Sequence, residues 1–521
     1  MMKRIIASLL ALLLILATGV SFAADGTSNI YQGYTFDFYK NIKSTPSAFV
    51  LSQVIDSDSL GSSYTFGTVA DVCTSEDGRI FVVDSNPEAS RVFVFNADGS
   101  LYTVVNEEGV EISRMNPIGT IKQPHSDAAK AAQGRTVNVT VDANGRVDAS
   151  SKTTTSLKGC EGVFYHEKAD ELYIADTGNA RIVVLDGHTF LFKRFIYQPE
   201  DMTGATEFKP SKITVDNADR IYVVVQSSYE GIIELNEDGS FSRYFGVNEP
   251  SINLLDYFWK TLATDAQKEK MGKTYAPAFN NVALDGEGFV MAVTSDSAAN
   301  QSVFRLNFAG ANVLREMGNT LVVGDIRADK ASAFTDIAVK RYGTYAVLDK
   351  TNGRIFLYNF DGELLTAFGS MGNIAGQFRT PTGIAWLGDK LVVADKGMKC
   401  VYIYEPTAFG QALLDACEDY YDGNWDEATA HFEEVLRLCS NLETAYTGIG
   451  KNKLMQEEYE EAMRYFKLGN NHEFYSKAYK GYRTIVMKEN FGIIAAVAVV
   501  AIGAVLWSEV AYHRKQRRLY K

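Results

Sequence analysis

The sequence contains little cysteine, histidine or proline: 5 Cys, 6 His and 10 Pro in 521 residues. Five cysteines, an odd number, in 521 residues cannot form a disulfide framework, and no Cys-x-x-Cys pair indicates a redox or metal site. We therefore interpret the cysteines as small core residues. The sequence has no P-loop, no Gly-x-Gly-x-x-Gly after a strand, no His-Glu-x-x-His and no Gly-x-Ser-x-Gly motif. It therefore has none of the common signatures of nucleotide-binding proteins, zinc peptidases or serine hydrolases.

Positive charge is also scarce, except at the two ends of the chain. The formal net charge is −13, from 51 basic and 64 acidic residues. Between residues 25 and 508 there are 44 basic and 63 acidic residues, a net charge of −19. Because a phosphate backbone needs a positive surface, we expect no nucleic-acid partner.

The N-terminus has the pattern of a secretory signal peptide. Lys3 and Arg4 precede an apolar run, and Ser21-Phe22-Ala23 places small residues at the positions that a signal peptidase reads. We predict a signal peptide over residues 1–24, with an uncleaved anchor as the alternative.

A second apolar run, Phe491–Trp507, contains no charged residue and is followed by the basic sequence HRKQRR. It predicts a transmembrane helix over residues 491–507 and a basic cytosolic tail over 508–521, because basic flanks stay in the cytosol. The alternative is a buried core helix. Together the two runs predict a single-pass cell-membrane protein whose N-terminal part is extracytoplasmic.

The chain repeats itself six times between residues 65 and 410. The stretches DELYIADTGNARIVVLDGHT and GTYAVLDKTNGRIFLYNFDGE each contain short strands with period-two alternation, separated by Gly, Asn and Asp turns. Four short strands per repeat are typical of a propeller blade. The sequence therefore predicts a mainly β fold, a six-bladed β-propeller, with residues 25–64 leading into it.

These segments resemble NHL repeats, a propeller family. The resemblance is carried by the string YIADTGNARI, by the lead strand Pro381–Ala385 and by the preceding segment GSMGNIAGQFRTPTGIA. It covers about 340 residues, and the third repeat departs from it at Val225 and Gln226. The resemblance implies the fold. It leaves the function open, because the family includes binding scaffolds, lyases and lactonase-like enzymes.

An aspartate recurs at equivalent turns of four repeats. One residue that recurs in most blades serves the blade rather than a reaction, and its carboxylate can accept hydrogen bonds from backbone N–H groups. We therefore interpret these aspartates as structural. They are Asp84, Asp176, Asp349 and Asp395.

Candidate site residues come from aligning the first strand of each repeat. One position per blade converges on the mouth of the central channel, where we expect a ligand. These positions are Asp71, Gly162, Lys212, Asn281, Asp336 and Gly383. Two insertions, 106–158 and 247–277, project from the same face as a lid or rim, or else cover apolar rim surface. Trp259 in the second insertion is a candidate stacking platform. The predicted ligand-binding residues are Asp71, Lys212, Asn281, Asp336 and Trp259.

The pattern changes to helical after residue 410. Over residues 411–487 the chain resembles tetratricopeptide repeats of 34 residues, with Ala428 and Phe432 recurring as Ala462 and Phe466. We expect a helical stalk of about two repeats that packs against the propeller, the membrane-proximal helix or a partner.

Two functions follow as hypotheses. The favoured one is a bacterial, membrane-anchored extracytoplasmic scaffold without a cofactor, which binds a protein or glycan partner through the propeller and helical repeats, in a complex such as a transporter. The alternative is a lactonase- or lyase-like enzyme with a divalent cation at the channel mouth, where Asp71, Asn281 and Asp336 supply part of a ligand set. Lys212 would repel that cation, and the sequence favours binding over catalysis.

Overall fold

The computed structural model describes residues 33–61, 64–104, 116–119, 156–202, 207–228, 230–246, 278–295, 302–314, 324–325 and 328–519. The predicted signal peptide, Trp259, the insertion 247–277 and most of the insertion 106–158 lie outside the described residues.

Twenty-four strands and six helices follow one another along the described chain. The strands are β1 (Gly33–Phe36), β2 (Ile42–Thr45), β3 (Phe49–Ile55), β4 (Val69–Thr74), β5 (Ile80–Asp84), β6 (Arg91–Phe95), β7 (Gly162–His166), β8 (Glu171–Asp176), β9 (Arg181–Asp186), β10 (Phe192–Ile196), β11 (Pro210–Val215), β12 (Ile221–Val225), β13 (Ile232–Leu235), β14 (Phe241–Phe245), β15 (Phe279–Leu284), β16 (Val290–Thr294), β17 (Val303–Leu306), β18 (Phe334–Val339), β19 (Tyr345–Asp349), β20 (Arg354–Tyr358), β21 (Leu364–Phe368), β22 (Pro381–Leu387), β23 (Lys390–Asp395) and β24 (Cys400–Pro406). The helices are α1 (Ala408–Asp422), α2 (Trp425–Leu438), α3 (Glu443–Met455), α4 (Tyr459–Leu468), α5 (His472–Glu489) and α6 (Phe491–Leu519).

The strands form six antiparallel sheets, one per blade. Blades one to five begin at β4, β7, β11, β15 and β18, and blade six contains β22, β23, β24 and β3. The first strands of consecutive blades are neighbours, and β22 lies beside β4, so the ring is closed. This confirms the predicted fold class, a six-bladed β-propeller followed by helices and one long apolar helix. Membership of the NHL and tetratricopeptide families stays a prediction.

The second strand of most blades is apolar on both faces because it packs between neighbouring blades. All residues of β5 and β8 are buried, which explains their nearly continuous apolar sequences. The tight turns that join the strands use glycine in the left-handed region, as at Gly78 (φ +93°) and Gly99 (φ +77°). A residue with a Cβ is strained there.

The propeller is closed by the N-terminal segment. Strand β3 pairs antiparallel with β24, from Ile55 opposite Val401 to Phe49 opposite Pro406, and is the outer strand of blade six. It covers an edge that would otherwise expose unpaired backbone groups. Residues 25–64 thus do more than lead into the propeller: β3 completes blade six, and β1 extends blade five by pairing with β21.

The repeated aspartates hold the turns, as predicted. The carboxylate of Asp395 accepts backbone N–H groups from Arg379 (2.7 Å), Thr380 (3.0 Å), Gly397 (2.8 Å) and Met398 (3.0 Å). Two of these donors belong to the segment that enters the blade, so the side chain ties that segment to the second turn. Its equivalents are Asp84, Asp176 and Asp349.

Helices α1 to α5 pack as consecutive antiparallel neighbours. Ala428 and Ala462 are fully buried where helices approach closely. A Cβ on Gly448 would lie 2.5 Å from the ring of Phe432, so a larger residue there would separate α2 from α3. Helix α1 is capped at its N-terminus by Thr407, whose Oγ1 accepts the N–H of Gly410 (3.2 Å), and at its C-terminus by Gly423.

The helices share one hydrophobic core with blades five and six. Phe409 and Leu413 of α1 belong to the same buried cluster as Phe49, Leu348 and Phe378 of the propeller. The sequence left open whether the helices pack against the propeller, the membrane-proximal helix or a partner. The shared core shows that they pack against the propeller.

A buried ion cluster joins the same two parts. The ammonium of Lys451 on α3 lies 2.8 Å from Asp361 and 2.9 Å from Glu363, in the hairpin between β20 and β21. These carboxylates raise the pKa of Lys451 despite its burial, and the cluster fixes α3 against blade five.

Helix α6 has 29 residues and spans about 44 Å. It is long and apolar enough to cross a membrane, and none of its residues is buried. The helix continues to Leu519, so the basic residues predicted as a tail extend the same helix.

Candidate functional site

The six aligned positions meet around the propeller axis, in an arrangement that we call the axial ring: Asp71, Gly162, Lys212, Asn281, Asp336 and Gly383. In five blades the first strand has a register shift directly before this position, as between Val69 and Asp71. A bulge of this kind re-aims one side chain, here toward the axis.

One half of the ring is built on Asp71. Its Oδ1 accepts a hydrogen bond from the ammonium of Lys212, and its Oδ2 accepts the backbone N–H of Val163 (3.0 Å). The Asp71 side chain is 5% exposed and that of Lys212 is 11% exposed. One carboxylate therefore links blades one, two and three.

The other half is built on Asp336, which is 2% exposed. Its Oδ1 accepts the backbone N–H of Ile337 (2.7 Å) and the amide of Asn281, and its Oδ2 accepts the backbone N–H of Ile384 (2.7 Å). This carboxylate links blades four, five and six.

The two glycines let the strands approach closely enough for these contacts. A Cβ on Gly162 would lie 2.2 Å from the carbonyl oxygen of Ser211, and one on Gly383 would lie 2.9 Å from Asp71. The polar side chains of the ring are thus hydrogen-bonded to each other and to backbone N–H groups.

Burial and mutual charge set the protonation of the ring. Desolvation raises the pKa of Asp336 to about 7, with Asp71 adding to the rise and Lys212 opposing it. Burial raises the pKa of Asp71 as well, and Lys212 limits that rise. For Lys212 burial lowers the pKa, but the attraction of Asp71 and Asp336 outweighs it and the pKa is raised. The ring therefore keeps an ammonium next to Asp71.

The axial ring divides the channel into two cavities, and Lys212 lines both. The strand ends define their positions. The hairpin face carries the turns between the first and second and between the third and fourth strands of each blade. The connection face carries the other turns and the blade-to-blade segments. Asp71, Asn281 and Asp336 are thus buried inside the channel and do not stand at an open mouth.

The connection-face cavity has a volume of about 540 Å³. Its rim is lined by the residue that precedes each ring position: Ala70, Glu161, Ser211, Asn280, Thr335 and Thr382. The residues that follow the repeated aspartates also line it: Ser85, Lys350 and Lys396. A pocket of this size holds a small ligand or one end of a larger one.

The hairpin-face cavity is smaller, about 230 Å³. Its wall is mainly apolar, with Phe164, Leu284, Val339 and Trp386 among the lining residues. Trp386 donates its indole N–H to the carbonyl of Ala338 (3.1 Å), which fixes the ring at the wall.

Sequence reasoning found the ring but missed the residues that face the larger cavity. Lys350 and Lys396 follow Asp349 and Asp395 directly, so the repeated aspartate is the signal that locates them. Trp259 lies outside the described residues, and its predicted stacking role stays a prediction.

The predicted alternative of a cation site was compared with the side chains present. Within the described ranges, no group of three or more His, Cys, Asp or Glu side chains is placed to hold a metal ion. In the ring itself, Lys212 already occupies one oxygen of Asp71. Cation binding at the ring stays a prediction.

Comparison with known proteins gives only distant similarities, at low sequence identity. No protein-family model matches the chain, and no curated protein matches it in sequence. A streptogramin B lyase structure is 13% identical, with a TM-score of 0.39, over 69% of this chain and 98% of that one.

Two further structures are similar to the same extent. Virginiamycin B lyase from Staphylococcus aureus is 11% identical, with a TM-score of 0.37, over 68% of this chain and 99% of that one. Kuenenia stuttgartiensis hydrazine synthase is 10% identical, with a TM-score of 0.35, over 67% and 98%. The class that the fold defines is a six-bladed propeller with a helical C-terminal region.

Proposed function

We propose that this protein is a membrane-anchored extracytoplasmic binding protein, whose propeller receives a protein or glycan ligand in the connection-face cavity. The proposal rests on one observation, the positions of the helices and of the larger cavity on the two faces of the propeller. The helices contact one face, and the larger cavity opens on the other.

Three polar contacts of the helices fall on hairpin-face turns. Gln411 of α1 donates to Asp389 (3.1 Å), between β22 and β23. Tyr421 donates to Glu287 (3.1 Å), between β15 and β16. Lys451 binds the turn between β20 and β21. Because α5 leads directly into α6, the apolar helix emerges from the same helical region.

The floor of the cavity favours binding over catalysis. Its polar side chains are bonded to each other or to backbone groups, which supports a rigid surface. In the proposal, Asp71, Lys212, Asn281 and Asp336 shape the floor, and the rim residues contact the ligand. A scaffold role beside a transport complex is part of the same proposal, with the helical repeats as the partner surface. The enzyme alternative stays a prediction that a turnover screen tests.

The experiment blocks the cavity. Full-length protein in lipid nanodiscs is applied to glycan and peptide arrays as wild type and as Thr335→Trp, which places an indole in the cavity. The matched control is Thr103→Trp, at an exposed position of blade one. A ligand that binds the wild type and the control but not Thr335→Trp supports the proposal. Equal binding to all three proteins contradicts it.

A further inference from the structure

The connection-face cavity differs in charge from the domain that contains it. Between residues 25 and 508 acidic residues outnumber basic ones by 63 to 44. In the described lining of the cavity the balance is reversed, with Lys212, Lys350 and Lys396 against Glu161. Lys212 is held by Asp71 at the floor, so the charges at the rim are two lysines and one glutamate.

The two rim lysines line the cavity with exposed side chains. Lys350 and Lys396 occupy equivalent places in the neighbouring blades five and six, and both are exposed. Their neighbours Asp349 and Asp395 are bonded to backbone N–H groups, for example Asp349 to Thr351 (2.8 Å). Within the part of the chain that the structure describes, neither lysine ammonium forms an ion pair.

The remaining lining is rich in hydroxyl and amide groups. These are Thr68, Ser85, Ser211, Gln226, Ser227, Asn280, Thr335 and Thr382. The hydroxyl of Ser211 donates to the carbonyl of Val224 (3.0 Å), and that of Thr382 donates to the carbonyl of Val69 (3.1 Å). With their protons engaged, these oxygens offer lone pairs to a ligand that donates hydrogen bonds.

The cavity thus combines hydroxyl acceptors with cationic donors. A ligand that matches both has hydroxyl groups that donate and an anionic group that accepts. An apolar ligand would leave these polar groups unpaired, which costs binding free energy. A neutral sugar would use the hydroxyls and leave the two lysines without a partner.

We propose that the connection-face cavity binds a carboxylated sugar, with the carboxylate at Lys350 and Lys396 and the sugar hydroxyls at the hydroxyl-lined wall. The sugar is a free sugar acid or the end of an acidic glycan, since both present the same chemistry. This inference rests on the proposed function and specifies its ligand class.

The test is calorimetric titration of full-length protein in detergent with digalacturonate, with its neutral methyl ester and with free galacturonate. Digalacturonate should bind, and the methyl ester should bind at least about tenfold more weakly, because ion-pairing hydrogen bonds are the stronger ones. Lys350→Gln/Lys396→Gln should lose about tenfold or more for the acid and little for the ester. Lys390→Gln, at a partly exposed lysine that begins β23, is the control and should bind as the wild type does.

The outcomes separate the sugar acid from the cavity itself. Comparable affinity for free galacturonate and digalacturonate supports the free acid as ligand, and a preference for the dimer supports a glycan end. Equal affinity for acid and ester, or an unchanged Lys350→Gln/Lys396→Gln protein, overturns the sugar-acid proposal, as does the absence of any acid binding. If a neutral glycan or a peptide then binds and Thr335→Trp abolishes that binding, the proposed function is supported and the sugar-acid proposal is not.

Discussion

Replacing Lys212 with Met removes the ammonium of the axial ring and keeps much of the apolar volume of the side chain. Asp71 and Asp336, 4% and 2% exposed, then face each other without a cation. Removing one partner of a buried ion pair costs about 3–5 kcal/mol, because a charge remains buried and uncompensated. We expect the free energy of unfolding at pH 7 to fall by that amount. The loss should shrink as the pH falls, because burial raises the pKa of both carboxyl groups and their protonated forms carry no charge.

Urea unfolding of the full-length protein in a mild detergent, followed by tryptophan fluorescence, measures this loss. The control is Lys390→Met, whose ammonium lies 3.8 Å from Glu405 at the surface. Exposed pairs of this kind contribute about 0–1 kcal/mol, so the control should unfold nearly as the wild type does. The double variant Lys212→Met/Asp71→Asn should regain part of the loss, because the unpaired charge is removed and Asn still accepts the N–H of Val163. A Lys212→Met protein as stable as the control would refute the ring as described.

Four further predictions concern the ring, the helices and the anchor. Asp336→Asn should cost about 1–3 kcal/mol, because an amide donor then faces an N–H donor. In the wild type, stability should decrease as the pH rises from about 4 to 7, because the Asp336 carboxyl ionises near 3.8 in the unfolded chain and near 7 in the folded one. Asp336→Asn should abolish this decrease. Urea unfolding at several pH values measures the cost and the pH dependence. Gly162→Ala should lower the melting temperature through an overlap worth about 1–3 kcal/mol, whereas Gly119→Ala, with ordinary contacts of 3.6 Å, should be nearly neutral. Lys451→Met should cost about 3–5 kcal/mol in urea unfolding and make α3 more sensitive to limited proteolysis. Removing residues 491–521 should release the protein from the membrane fraction on immunoblots.

Contradicting results are equally specific. If the free energy of unfolding of Asp336→Asn decreased with pH as it does in the wild type, the titrating group would be another residue. A neutral Gly162→Ala would mean that the strands are not as close as 2.2 Å implies. A Lys451→Met protein with unchanged sensitivity to proteolysis would mean that the ion cluster does not fix α3 against blade five. A truncated protein that stays in the membrane would place the anchor elsewhere.

The propeller was predictable because its signals are local. Alternating strands, Asp-Gly turns and the repeated aspartates recur within each blade, so six copies could be counted from the sequence. Strand β3 was not assigned to blade six, although FVLSQVI has a strand pattern, because its partner β24 lies about 350 residues away. Such long-range pairing depends on ring closure, and no local signal specifies it.

The site was predictable only in part, for a similar reason. Aligning the first strands identified the polar side chains of the axial ring, because equivalent positions in a propeller meet at the axis. Whether Asp71 and Asp336 bond their neighbours or face an open mouth depends on bulges of one residue, which the alignment does not reveal. Lys350 and Lys396 were passed over because their depth in the cavity depends on the same geometry.

The central claim is that the connection face is exposed outside the membrane and that α6 carries the chain across it. Cysteine labelling tests this most directly, because four of the five native cysteines are buried and Cys73 is partly so. Ser227→Cys, at the connection-face cavity, and Lys515→Cys, at the end of α6, are treated with a membrane-impermeant maleimide on intact protoplasts. We expect Ser227→Cys to be labelled at once and Lys515→Cys only after lysis. Labelling of Lys515→Cys on intact protoplasts, or protection of Ser227→Cys until lysis, would contradict the claim.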